Sequence, residues 1–183
     1  MTNFEATADL LDMHEDYRVL RRIGKAETWG LKHKSTEVRQ AVFVDVETTG
    51  LDIDNDEIIE IGIVPFNYDL GTGEIIWVDE DDVLSQFRDP GVPIPRETTK
   101  IHGITDEMVS NAPGFSEVAD DFREFLGDAV FVGHRVKFDF GFIRDEFRRL
   151  ESEYRAATFC TAAETRRHFP GLNSYSLANL CSE

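Results

Sequence analysis

One stretch, Ala41-Val-Phe-Val-Asp-Val-Glu-Thr-Thr-Gly-Leu51, limits the folds open to this chain more than any other. Its apolar, β-branched residues read as a buried strand, yet it carries Asp45 and Glu47 and runs straight into Thr48-Thr49-Gly50. Residues i and i+2 of a strand project from the same face, so the two carboxylates stand side by side. Ionised carboxylates in an apolar strand are costly unless positive charge compensates them. A divalent cation is the usual compensation, and Mg²⁺ favours oxygen ligands. The strand is therefore expected to build a carboxylate metal site into the core.

The rest of the pattern frames that strand. Residues 41–46, 57–66 and 74–78 read as three sequential strands, with two glycines in the 67–73 connection, which predicts an antiparallel meander. Short helices are expected at 96–100 and 106–110, the second capped by Thr105. An amphipathic helix follows at 115–126, with Phe115, Val118, Ala119, Phe122 and Leu126 on one face. Strand 129–132, helix 138–150, strand 157–160, helix 161–168 and a last helix from Ser176 complete the alternation. The expected fold is α/β, a mixed five-stranded sheet flanked by helices, over residues 41–183. Residues 1–40 read as an extension, with an amphipathic helix at 8–23 and a candidate edge hairpin at 24–40 around Trp29.

Charge narrows the partners. The 183 residues carry a net charge of −17, which argues against a surface that coats a polyanion. The excess is local: residues 51–86 hold eleven acidic side chains and no Lys or Arg. Basic residues gather later, at Lys137, Arg144, Arg148, Arg149, Arg155, Arg166 and Arg167. That distribution suits a protein gripping a strand end through metal ions better than one enclosing a duplex. Cys160 and Cys181 make no disulfide framework, the N-terminus has no signal pattern, and no apolar run could span a bilayer. A cytoplasmic location without membrane attachment is expected.

Three features occur in order: Asp45-Val-Glu47-Thr-Thr-Gly-Leu, then Glu97-x₄-His102-Gly-Ile-Thr-Asp, then Val132-Gly-His-Arg-Val-Lys-Phe138-Asp139-Phe-Gly-Phe142-Ile. Together they resemble the DEDD (DEDDh) superfamily of 3′–5′ exonucleases, in the branch containing the proofreading epsilon subunit of bacterial DNA polymerase III. The resemblance implies an RNase H-like fold and metal-dependent hydrolysis of phosphodiester bonds at a single-stranded 3′ end, DNA ahead of RNA. It implies two ions, Mg²⁺ or Mn²⁺, of which Asp45 would bridge both, Glu47 would hold one and Asp139 would support the second. Glu97 and His102 would meet the terminal nucleotide, as would Thr48 and Thr49 through the turn after the strand. Phe138 would stack on a base or pack in the core. A DNA polymerase is the implied protein partner.

The sequence departs from that pattern in two places. The superfamily branch has a His followed five residues later by an Asp near its C-terminus, the His acting as general base. No such pair follows Asp139 here: His168 would need Asp where Asn173 stands. The expectation is the front part of a longer exonuclease, with little or no hydrolysis by these 183 residues. Arg135 also stands where the pattern commonly has Asn. Two other readings stay open: an RNA 3′-trimming enzyme, and a non-catalytic nuclease-like module that binds nucleic acid or a polymerase. A third, weaker one is an interaction protein whose acidic 51–86 face recruits a basic partner.

Overall fold

The strand with the two acids lies at the centre of the sheet in a computed structural model that describes residues 37–78 and 83–181. This strand, β1 (Val38–Thr48), pairs antiparallel with β2 (Ile58–Asp69) along its whole length. On its other side runs β5 (Val130–Gly133), parallel, in the register Ala41↔Val130 to Phe43↔Val132. β6 (Thr158–Cys160) continues the sheet parallel to β5. The far edge of β2 carries β3 (Ile75–Val78) and β4 (Leu84–Phe87), both antiparallel.

The sheet therefore has six strands rather than the expected five. β4 was hidden because Leu84-Ser-Gln-Phe87 is short and follows an acidic run, a composition that disfavours strand. Its pairing with Glu60–Ile63 extends the edge begun by β3, so tertiary context overrides propensity. β1 also begins at Val38, so the last residues of the proposed 24–40 hairpin belong to the central strand. The 8–23 helix and the remainder of that hairpin lie outside the described residues.

Helices α1 (Arg96–His102), α2 (Asp106–Val109), α3 (Phe115–Leu126), α4 (Lys137–Arg149), α5 (Thr161–His168) and α6 (Leu177–Leu180) follow the sequence pattern to within one or two residues. α3 buries Phe115, Ala119, Phe122 and Leu126, and α4 buries Phe142, Ile143 and Phe147. These stripes share one core with Val42, Val44 and Val46 of β1, Ile61 and Ile63 of β2, and Phe131 of β5. Fully burying each such side chain contributes about 1.5–3 kcal/mol, which fixes α4 against β1.

A register shift at Glu47/Thr48 pairs Glu47 with Glu60 and Thr48 with Ile58, leaving Ile59 between them unpaired. Ile59 then joins Ile94, Ile104 and Val109 in a second apolar cluster, with Phe87 packed against it. That cluster seats the α1–α2 segment on β2, and so sets the position of His102. Among the described residues no helix is long and apolar enough to cross a membrane.

Candidate active site

The acids lie towards the carboxyl ends of β1 and β5. Open sheets commonly bind ligands outside the carboxyl ends of their parallel strands. Alternation along β1 sends Val42, Val44 and Val46 into the core and leaves Asp45 exposed and Glu47 half-buried on the other face. Asp139 arrives from the first turn of α4 and is only 3% exposed. Its Oδ1 accepts the Val46 backbone N–H at 3.1 Å, three residues past the last β1–β5 pair. The third carboxylate is thus anchored on the residue between the other two.

Asp139 feels the charge of both strand acids, and Glu47 feels that of Asp45. Burial, then the charge of Asp45, then that of Glu47 push the Asp139 carboxyl up to about 7, against hydrogen bonds from Val46 and its own N–H. Although the Asp45 side chain reaches solvent, the protein packed around its carboxyl holds it above its ordinary range, partly offset by His134. Burial, Asp45 and Glu60 do the same to Glu47. None of the three has an Arg or Lys partner among the described residues.

Hard oxygen donors with surplus negative charge suit a divalent cation such as Mg²⁺ or Mn²⁺, so the donor chemistry fits. The side chains are not gathered around one point: among the described residues no three His, Cys, Asp or Glu side chains are placed to hold an ion. Like charges repel at close range, which accounts for carboxylates that are coupled without being clustered.

The other expected site residues are placed as follows. Thr48 donates to the Gly50 carbonyl, while Thr49 donates to Asp56 at 2.9 Å and accepts from the Glu57 N–H at 3.0 Å. Both threonines are buried, so their hydroxyls are committed to the turn. Phe138 is half-buried, packs on the core, and its ring lies 4.9 Å from that of Phe142. His102 ends α1, and its Nδ1 accepts from the Ile104 N–H at 3.0 Å. The neutral ring therefore carries its proton on Nε2, a buried atom with no partner. Glu97 is exposed on α1 and contributes to none of the shifts at Asp45, Glu47 or Asp139.

Sequence reasoning missed two residues. Glu60 faces Glu47 across the β1–β2 ladder and acts on both Glu47 and His102. The signal was present: Ile58-Ile-Glu-Ile-Gly62 is a lone acid in an apolar strand, as at Asp45. His134 donates from Nε2 to the Tyr175 carbonyl at 2.7 Å and pairs through Nδ1 with Thr161 Oγ1 at 3.0 Å. It ties the turn before Asp139 to the chain after α5, a long-range role that spacing alone does not reveal.

Residues 42–183 match the family model described as Exonuclease. The chain is 34% identical over 140 residues to the DNA polymerase III subunit epsilon of Aquifex aeolicus, covering 76% of this chain and 65% of that protein. It is 36% identical over 145 residues to the PolC-type DNA polymerase III of Clostridium perfringens, covering 79% of this chain but 9% of that protein. Among solved structures, Exonuclease X in complex with 5′ overhanging duplex DNA superposes with a TM-score of 0.55 at 29% identity, over 78% of this chain and 71% of that one. E. coli Exonuclease I bound to an oligonucleotide shares the fold, with a TM-score of 0.64 at 16% identity over 79% of this chain and 36% of that one.

Proposed function

The chain belongs to the exonuclease family, and from that premise we propose that it acts on the 3′ end of single-stranded DNA by a two-metal mechanism. The carrying observation is Asp139: a buried carboxyl with no cationic partner among the described residues, bonded to the backbone between Asp45 and Glu47. A fold that had only stability to gain would neutralise such a group. Asp45, Glu47 and Asp139 would hold two Mg²⁺ or Mn²⁺ ions. Bound there, the ions supply Lewis-acid polarisation of the scissile phosphate and neutralise charge on the leaving oxygen.

The chain's own residues orient the strand. The Asp139–Val46 hydrogen bond fixes the helix acid against β1, so the carboxylates keep a constant spacing from the backbone at Thr48–Gly50. His102 packs beside Glu60 and feels its charge, with its Nε2 proton buried rather than presented to solvent. Glu97 stands exposed on the same helix, free to accept from a terminal 3′ hydroxyl. Names among the relatives point to a polymerase as partner, and a cytoplasmic setting beside one is part of this reading.

A second reading has a specific observation behind it. Among the described residues no three His, Cys, Asp or Glu side chains are placed together to hold an ion, so the acids as they stand are arranged for binding rather than for two-ion chemistry. We accordingly expect strand-end binding with slow turnover, as in a nuclease-like binding module. Mn²⁺ titration by calorimetry, followed by digestion of oligodeoxynucleotides labelled at either end, separates these outcomes. Absence of any Mn²⁺ binding would sink both; shortening from the 5′ end would sink the polarity.

A further inference from the structure

The loop between β1 and β2 is fastened to α4 at a place the chemistry above does not use. Arg149, at the end of α4, spreads its guanidinium over that loop. Nε donates to Asp145 at 2.8 Å and Nη1 to Glu57 at 2.5 Å. Nη2 lies 3.3, 3.4 and 3.2 Å from the carbonyl oxygens of Ile53, Asp54 and Asp56. Burial works against this charge, and the bonds to Glu57 and Asp145 outweigh it. The neighbouring Arg148 is different: its side chain is 66% exposed and approaches Asp54 only to 3.8 Å. Exposed pairs of that kind contribute little, whereas the Arg149 side chain is 28% exposed.

A second, apolar fastening lies on the same helix. A Cβ at Gly141 would stand 2.6 Å from Ile53 Cδ1, so the missing side chain makes the notch that Ile53 fills. The loop is thus held by charge at one point of α4 and by shape at another. From there the restraint passes inward through Asp56. Its carboxylate takes the Thr49 hydroxyl and the Asp52 N–H, both at 2.9 Å. It also occupies the space where a Gly50 Cβ would be, 2.3 Å from Oδ2. Leu51, next in line, is 84% exposed beside the strand that carries Asp45 and Glu47.

We propose that Arg149 is a positioning residue: with the Ile53–Gly141 notch it holds loop 51–57 on α4 and thereby fixes the Thr49–Leu51 wall against which a terminal nucleotide is seated. This rests on the strand-end reading above. A loop ordered before binding spares the ligand the entropic cost of ordering it, so loosening the loop lowers affinity for the strand without disturbing the ion ligands.

The test uses the whole 183-residue chain as wild type, Arg149→Gln, Arg149→Lys and Ile53→Ala. Three quantities are read: amide exchange of residues 50–57 against β1 and β2, Mn²⁺ affinity, and anisotropy of a fluorescent single-stranded oligothymidylate with a free 3′ hydroxyl. Arg149→Gln is expected to speed loop exchange by about tenfold and weaken the oligonucleotide by about tenfold, with Mn²⁺ affinity unchanged. Arg149→Lys, which keeps the charge but not the fork, should recover part of the loss. Ile53→Ala loosens the same loop without touching the ion pairs, and decides the matter if the Gln variant does not fold. Unchanged loop exchange in both variants overturns the proposal, as does a parallel fall in Mn²⁺ affinity. A wild type that binds Mn²⁺ but no oligonucleotide removes the strand-end reading instead, and the loop-exchange comparison shows that separately.

Discussion

The two ends of α4 treat buried acids in opposite ways. At its N-terminal end Asp139 is buried beside two other carboxylates, with no arginine or lysine paired to it among the described residues. At its C-terminal end Asp145 is equally buried but clasped by two guanidinia, Arg148 and Arg149, at 2.6 and 2.8 Å. Burying a charge is tolerable when a partner and hydrogen bonds accompany it. The second end obeys that rule for the sake of the fold. The first breaks it, and such a breach points to charge supplied from outside, by an ion or a substrate.

The largest expected effect attacks the first end. Asp139→Asn should weaken Mn²⁺ binding on the order of a hundredfold, a typical scale for perturbing a metal site. It should also abolish the rise in melting temperature that Mn²⁺ gives the wild type. Equal Mn²⁺ protection in the variant would end the contrast between the two ends.

Glu146 offers a second probe, since it is buried at the clasped end yet lacks full compensation. Burial first, then Glu57, push its carboxyl from 4.5 up to about 7, against Arg149 and a hydrogen bond from Ile58. The folded-state value is raised, so the stability from this group is complete below pH 4.5 and gone above about 7. Glu146→Gln should then be more stable than wild type at pH 8 by about 2–3 kcal/mol, converging as the pH falls towards 4.5. Urea unfolding at several pH values reads this directly; a variant less stable at pH 8 contradicts it.

Asp145→Asn should act with the opposite sign, costing about 1–3 kcal/mol in the same assay, because both arginines lose a charged acceptor. The cost is moderated by water reaching Arg148. The smallest effect is expected at Glu60. Burial lowers the proton affinity of His102 and Glu60 partly restores it, so Glu60→Gln should move the His102 titration further down. An NMR titration of the imidazole that stays put would detach Glu60 from the site.

Much of this arrangement was legible in the chain. The apolar, β-branched run located β1, and the i, i+2 spacing put Asp45 and Glu47 on one face, because a strand's period is two whatever surrounds it. The tertiary structure alone showed that this face, expected in the core, is not the one packed there. The helix at 115–126 was found to the residue, since its apolar stripe is set by a period of 3.6. β4 escaped because its pairing is with β2, across a gap in sequence that no local pattern spans. Thr48 and Thr49 were expected to meet the terminal nucleotide through the backbone of their turn, and only the tertiary structure shows that their hydroxyls hold that turn together.

By itself, then, the sequence determined which side chains share a face, which segments seek the core and which chemistry the three acidic motifs can support. Periodicity and residue type are local properties, and they survive translation from string to structure. The tertiary structure alone decided that Asp139 reaches the backbone between the strand acids, that Glu60 faces Glu47, and that Arg149 pins the loop behind the site. Each of those depends on register or on a contact between residues distant in the chain, and burial then converts proximity into altered charge.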